Sequence, residues 1–260
     1  MGVLDGKVIV ITGASRGIGE ATAVGFAAEG ALLVLAARTV PDLERVAALC
    51  RDAGAANVSI VPTDITDEAQ VKALVAQTIE TSGRVDVFVA NAGTSYANFT
   101  DKRYRELHTY DLDIVETLFK VNVFGTWLCL REALPVMSEG GSMIVVGSET
   151  GRALYPGAGM YALTKTTLDG MVTLAAKEMA ERSIRVNCVS PGGMVDTQLF
   201  GPNKMPEFLK KNYPPLPDDV MTAAAVWLAS DDSKDITGAF VSGKEFNSMP
   251  LEEIRASLAR

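Results

Sequence analysis

The stretch Lys7-Val8-Ile9-Val10-Ile11-Thr12-Gly13-Ala14-Ser15-Arg16-Gly17-Ile18-Gly19 carries an apolar run straight into three closely spaced glycines. An apolar run on successive positions, not alternate ones, fits a strand of a parallel sheet buried on both faces. Glycines directly after such a strand let the backbone turn sharply and come close to a ligand. A helix that starts there offers unpaired N–H groups to an anion such as a pyrophosphate. The spacing is Gly-x-x-x-Gly-x-Gly and differs from the Gly-x-Gly-x-x-Gly dinucleotide fingerprint, so position between strand and helix carries the reading.

Further along, short β-branched runs alternate with longer amphipathic ones. The strand candidates are Lys7–Ile11, Ala31–Ala36, Val58–Val61, Val85–Val89, Met143–Val146, Ile184–Val189 and Ala239–Ser242. Helices are expected near Gly17–Glu29, Pro41–Ala53, Asp67–Ser82, Leu112–Met137, Gly157–Glu181 and Asp218–Ala229. Strict alternation predicts an α/β fold: a Rossmann-type, doubly wound parallel sheet of about seven strands with helices on both faces. No repeat or linker divides the chain, so residues 1–260 are expected to form one domain. Asp67 with Gln70 reads as a capping box, Pro41 suits a first helical turn, and Gly30, Gly54 and Gly83 fit helix ends.

Composition narrows the function classes. The net charge of −8 repels a phosphate backbone, so nucleic acid is not expected as a partner. Cys50, Cys129 and Cys188 lie apart in apolar stretches, as expected for buried thiols in a reducing compartment. A single histidine, His108, leaves little for a zinc site, and no metal is expected. No basic leader or long apolar run is present, so a cytoplasmic protein without a membrane span is expected.

The end of the second strand bears on which dinucleotide the loop would hold. An NAD-type ribose site wants a carboxylate there, but the sequence reads Leu35-Ala36-Ala37-Arg38-Thr39. Arg38 could pair with a 2′-phosphate and Arg16 could clamp its other side, which favours NADP(H) over NAD(H).

Tyr161 and Lys165 stand at i and i+4 on one face of a helix, Ser148 ends the fifth strand, and Asn122 lies within the long preceding helix. Together with Thr12–Gly19, Asp64, Asn91-Ala92-Gly93 and Pro191-Gly192, in this order, the constellation resembles the short-chain dehydrogenase/reductase family. The likeness runs from Lys7 to about Ser242.

It implies a carbonyl reductase or alcohol dehydrogenase acting on a small molecule. Tyr161 would be the general acid/base, Ser148 would hold the reacting oxygen, and Lys165 would lower the tyrosine pKa and hold the nicotinamide ribose. Asn122 would anchor a water. It further implies cofactor contacts from Gly13, Ser15, Arg16, Gly17, Ile18, Gly19, Arg38, Asp64, Ile65, Asn91, Ala92, Gly93, Tyr161, Lys165, Pro191, Gly192 and Thr197. Substrate contacts would come from Ser148, Thr150, Tyr155, Tyr161, Gly193 and Met194. A homo-oligomer, tetramer before dimer, is implied as well. The rival readings are an NAD(H)-dependent sugar or polyol dehydrogenase of the same fold and a catalytically silent nucleotide-binding regulator.

Three features depart from the family pattern. Thr197 comes one residue late for Pro-Gly-x-x-x-Thr, which weakens its expected bond to the nicotinamide carboxamide. The 94–121 segment, with Tyr96, Phe99, Tyr104 and Tyr110, is long and could wall a pocket. The last strand ends Val241-Ser242-Gly243-Lys244 instead of Val-Asp-Gly-Gly. Residues 198–213 mix apolar side chains with lysines, as a substrate lid would.

Overall fold

Each of the seven apolar runs forms a strand. β1 (Val8–Thr12), β2 (Leu32–Ala37), β3 (Asn57–Pro62), β4 (Val87–Ala90), β5 (Ser142–Val146), β6 (Arg185–Ser190) and β7 (Phe240–Ser242) make one sheet. Its order is β3-β2-β1-β4-β5-β6-β7 and every pairing is parallel. The computed structural model describes residues 2–99, 106–155, 157–200 and 207–258.

The connecting helices are α1 (Gly17–Ala28), α2 (Val40–Ala53), α3 (Glu68–Ser82), α4 (Leu112–Phe119), α5 (Thr126–Ala133), α6 (Glu149–Ala153) and α7 (Gly159–Glu178). They are followed by α8 (Glu207–Asn212), α9 (Thr222–Ala229), α10 (Gly243–Phe246) and α11 (Leu251–Leu258).

Successive residues of β1 feed opposite layers. Ile9 and Ile11 join a cluster with Phe26, Leu43 and Trp227 from α1, α2 and α9. Val10 joins a second cluster with Leu74, Leu130 and Leu168 from α3, α5 and α7. Burial on both faces accounts for the unbroken apolar runs. Strand order reverses between β1 and β4, and at this switch point the carboxyl ends of neighbouring strands open a crevice for a ligand.

The helix signals act as expected at several ends. Asp67 accepts from the Gln70 N–H at 3.2 Å and from its side chain at 2.9 Å, and these bonds hold its carboxyl below the ordinary value. Gln70 in turn accepts from the Asp64 N–H at 2.8 Å. Gly54 and Gly83 close α2 and α3 in the left-handed region.

One expected helix is not uniform. Between α4 and α5, Lys120–Gly125 is a π-helical turn, and α5 ends at Ala133, short of the expected Met137. Pro135 lacks the N–H that would continue the ladder. A π turn costs hydrogen-bond geometry and is found mostly where a side chain or carbonyl must be redirected. This one contains Asn122.

Candidate active site

The turn after β1 is fitted closely to the turn after β4. Gly13 is left-handed at φ 66°, and a Cβ there would lie 2.8 Å from Ala92 Cα and 2.9 Å from Asn91 Nδ2. A Cβ at Gly19 would collide with the Gly13 carbonyl. Asn91 Nδ2 donates to the carbonyls of Thr12 (2.9 Å) and Gly13 (3.1 Å), and the Asn91 and Ala92 N–H groups donate to Thr12 Oγ1. The Asn91 side chain thus shapes the glycine loop. Arg16, the residue before α1, makes no side-chain cap, so the first N–H groups of the helix face the crevice without one. A bare helix end behind a turn that excludes side chains fits a dinucleotide pyrophosphate.

The other expected cofactor residues fall into distinct surroundings. Arg38 is exposed just after β2 and forms no hydrogen bond or ion pair among the described residues. Arg16 instead donates to the Gln198 side-chain carbonyl. The segment after β6 thus reaches back to engage Arg16, while Arg38 stands without a partner among the described residues. Asp64 accepts from Thr66 N and Oγ1, both at 2.9 Å. The Ile65 side chain is buried, and a Cβ at Gly125 in the π turn would lie 2.7 Å from its Cδ1. The backbone of Ser15 is braced by Arg45, which donates to the Ser15 carbonyl at 3.1 Å and to Glu20 through two 2.7 Å bonds. Arg45, in the first half of α2 three residues after Asp42, carries no local sign of this role in the sequence.

Behind the crevice stand the candidate catalytic groups. Ser148 caps α6 by accepting from the Thr150 N–H at 3.3 Å, which fixes its side chain at the end of β5. Lys165 is 5% exposed; its ammonium donates to the Val146 carbonyl at 2.8 Å and lies 5.9 Å from the centre of the Tyr161 ring. Burial depresses the Lys165 ammonium to about 8. Burial pushes the Tyr161 phenol up to about 12, the Ser148 hydroxyl bonded to it draws it partly back, and the carboxylate of Glu149 raises it. Desolvation of the phenolate is the largest influence on Tyr161, and Lys165, whose ammonium is bonded to the Val146 carbonyl, is not among the groups that shift it here.

Gly93 forms the floor between these groups and the turn after β4. A Cβ there would stand 3.3 Å from Asn122 Oδ1 and 3.7 Å from Lys165 Nζ. The Asn122 side chain is fully engaged: Oδ1 accepts from Thr94 N at 2.8 Å, and Nδ2 donates to Thr94 O at 2.9 Å and Thr164 Oγ1 at 3.1 Å. Its carbonyl accepts from Thr126 Oγ1 at 2.8 Å. Asn122 therefore ties the segment after Gly93 to α7.

Just before Thr197, Val195 forms a parallel bridge with Leu216, whose N–H donates to Met194 O at 2.7 Å. Thr197 itself ends beside Gly17, where a Cβ would meet its methyl group at 3.1 Å. The atypical end of β7 supports the same loop, since Lys244 N donates to Pro191 O at 3.1 Å and Ser242 crowds Gly192.

Residues 94–98 brace the other side: Ser95 Oγ donates to the Leu199 carbonyl, and Asn98 Nδ2 donates there at 3.2 Å. Tyr96 and Tyr110 meet edge to face at 6.2 Å, and Tyr110 leans on Gly159 and Met160 at the start of α7. Thr150 sits in the first turn of α6, Tyr155 is half exposed, and Gly193 is exposed at the rim. Tyr104 and positions 201–206 of the expected lid lie outside the described residues. His108 is exposed on a short helical turn, 3.5 Å from Glu106 and outside this site. Among the described residues, no helix could cross a membrane and no side-chain group could hold a metal.

A parallel sheet with a glycine turn at its switch point and Ser, Tyr and Lys at the neighbouring strand end defines a nucleotide-dependent α/β enzyme class. Residues 13–242 match the family model described as enoyl-(acyl carrier protein) reductase. An uncharacterized NAD-dependent oxidoreductase of Mycobacterium tuberculosis is 34% identical, the match covering 91% of this chain and 94% of that protein. The (+)-cis,cis-nepetalactol synthase of Nepeta racemosa is also 34% identical, over 90% of this chain and 89% of the synthase. Among solved structures, carveol dehydrogenase from Mycobacterium avium, in complex with NAD, superposes with a TM-score of 0.82 at 28% identity, covering 93% of this chain and 97% of that one. The chain belongs to the short-chain dehydrogenase/reductase family of oxidoreductases.

Proposed function

We propose that the chain is an NADP(H)-dependent carbonyl reductase or alcohol dehydrogenase in which Tyr161 exchanges a proton with the substrate oxygen. The carrying observation is the grouping of Ser148 with Tyr161 and of Lys165 beside the Tyr161 ring, with Lys165 Nζ also meeting Gly93 in the turn after β4. The glycine turn and the α1 N-terminus would hold the pyrophosphate, and Lys165 would face the nicotinamide ribose. When bound, the nicotinamide supplies or accepts the hydride.

The chain's own residues then handle the oxygen. Ser148 is fixed by its cap and directs its hydroxyl at the developing alkoxide. Tyr161, held protonated by burial, donates its proton to that alkoxide. A phenol pushed up to about 12 favours reduction near neutral pH, while alcohol oxidation needs the phenolate and rises toward alkaline pH. Lys165, at about 8, can accept a proton or replace one on the same side of the site.

The absence of a carboxylate at the end of β2, with Arg38 exposed there, supports NADP(H). The second reading is NAD(H), favoured by the relative named as NAD-dependent and by the structure solved with NAD. Exposed Leu112, Phe124, Trp127 and Leu174 on α4, the π turn, α5 and α7 support a homo-oligomer, a tetramer before a dimer. A cytoplasmic location is part of this reading.

Panels of ketones and secondary alcohols, run with NADPH, NADH and their oxidised forms, test the assignment. The names of the similar proteins direct those panels toward cyclic compounds of monoterpenoid size. Turnover of a ketone with a preference for NADPH is expected; tight cofactor binding without turnover of any carbonyl would favour the silent regulator.

A further inference from the structure

Arg45 belongs to α2, but its guanidinium reaches the glycine turn after β1 and donates to the Ser15 carbonyl at 3.1 Å. Two further bonds of 2.7 Å, to both carboxylate oxygens of Glu20 in α1, hold the guanidinium in place. A forked, charge-assisted contact of this kind fixes direction as well as distance. We propose that Arg45 is a positioning residue for the dinucleotide: by holding the Ser15 carbonyl it sets the peptide whose N–H meets the pyrophosphate, and so governs affinity for NADPH and NADH alike. The proposal rests on the reading of the glycine turn as the pyrophosphate site, and it assigns part of that site's strength to a residue of the next helix.

Carbonyls of this turn are engaged from several sides. Asn91 Nδ2 covers those of Thr12 and Gly13, Arg45 covers that of Ser15, and the Arg16 carbonyl accepts the first helical bond from Glu20 N at 3.4 Å. The N–H groups of Ser15 and Arg16, by contrast, donate to no acceptor among the described residues. In a trans peptide the carbonyl and the following N–H point in opposite directions, so a Ser15 carbonyl held by Arg45 turns the Arg16 N–H away from Arg45. A loose carbonyl in the turn would repel a phosphate oxygen, whereas fixed, unpaired N–H groups attract it. Arg45 does this without adding net charge, because Glu20 balances it. Its effect therefore falls on the pyrophosphate, which both dinucleotides carry, while Arg38 is the candidate reader of the 2′-phosphate, which only one carries.

The test is calorimetric titration of the full-length protein with NADPH and with NADH, which needs no substrate. Arg45→Met is expected to raise the Kd of both dinucleotides about tenfold. Glu20→Gln removes the ion pair but keeps an acceptor for Arg45, and with it the Ser15 bond, so it is expected to bind within about twofold of wild type. The double variant Arg45→Met/Glu20→Gln restores the charge balance and is expected to stay as weak as Arg45→Met. Its return to wild-type affinity would show a plain charge effect and overturn the proposal. So would equal losses in Arg45→Met and Glu20→Gln, which would reduce Arg45 to half of a tie between α1 and α2, or a loss confined to NADPH. Unchanged Kd values in Arg45→Met would overturn this proposal alone, whereas a wild-type protein that binds neither dinucleotide would overturn the proposed function with it.

Discussion

After β1 the chain enters α1 through Gly13–Arg16, whereas after β6 it runs from Pro191 to Met221 before α9 begins. The first passage is held by backbone contacts and by Asn91, which reaches across from β4. The second is held by groups from distant parts of the chain. Ser95 and Asn98 bond the Leu199 carbonyl and Arg16 bonds Gln198, while within the passage itself Lys210 pairs with Asp196 at 3.0 Å. The proposed pyrophosphate turn is thus built into the sheet, and the proposed substrate wall around Gln198 and Leu199 is latched onto it. Backbone-held geometry tolerates few substitutions, while a latched wall can change its residues and keep the fold. The two sides should therefore respond differently when they are perturbed.

The sharpest break between them runs through Tyr161. Tyr161→Phe should lower turnover by about 10³-fold while leaving dinucleotide affinity unchanged, measured by steady-state kinetics alongside calorimetry. A parallel loss of cofactor binding would mean that the two sides are not separable there.

Lys165 comes next, and here the effect is on stability. Its folded value of about 8 lies below the ordinary 10.5, so folding disfavours the ammonium, and that penalty is fully present below about 8. It fades as pH rises toward 10.5, so the stability of the parent protein should climb across that window. Lys165→Met should accordingly be more stable by about 2 kcal/mol near neutral pH, with the margin closing in alkaline denaturation curves, although turnover is lost.

On the cofactor side, Arg38→Asp should weaken NADPH by about tenfold and NADH much less, read by fluorescence titration. Equal losses for both cofactors would remove Arg38 as a reader of the 2′-phosphate.

The smallest effect belongs to the latch. Ser95→Ala should raise the substrate KM by about threefold, with cofactor affinity unaltered, because it releases only the Leu199 carbonyl. A change in cofactor affinity of similar size would show that the latch serves both sides.

The same contrast explains what could be read from the chain alone. Runs such as Leu32–Ala37 announced buried parallel strands because both faces demand apolar side chains, and Asp67 with Gln70 announced a helix start through local bonding. Ser148, Tyr161 and Lys165 were legible because strand end and helix spacing fix them relative to each other. The π turn at Asn122 was not, since it answers to Thr94 and Thr164, far away in sequence. Arg45 escaped notice for a similar reason: Ser15 gives no local sign that it will meet a charged partner. The bond from Arg16 to Gln198 was equally hidden, because nothing near Arg16 in the sequence predicts it. The direction of the Tyr161 shift depends on how much water burial removes, which no spacing reports.

The central claim is that Ser148, Tyr161 and Lys165 serve proton-coupled hydride transfer between a nicotinamide and a carbonyl. It is tested most directly by supplying NADPH deuterated at the transferable C4 position with the ketone most rapidly reduced in the panel, then weighing the product. The account predicts an alcohol carrying one deuterium on its carbinol carbon, formed by the parent protein and absent with Tyr161→Phe. Alcohol without that label, or labelled alcohol formed equally fast by Tyr161→Phe, would contradict it.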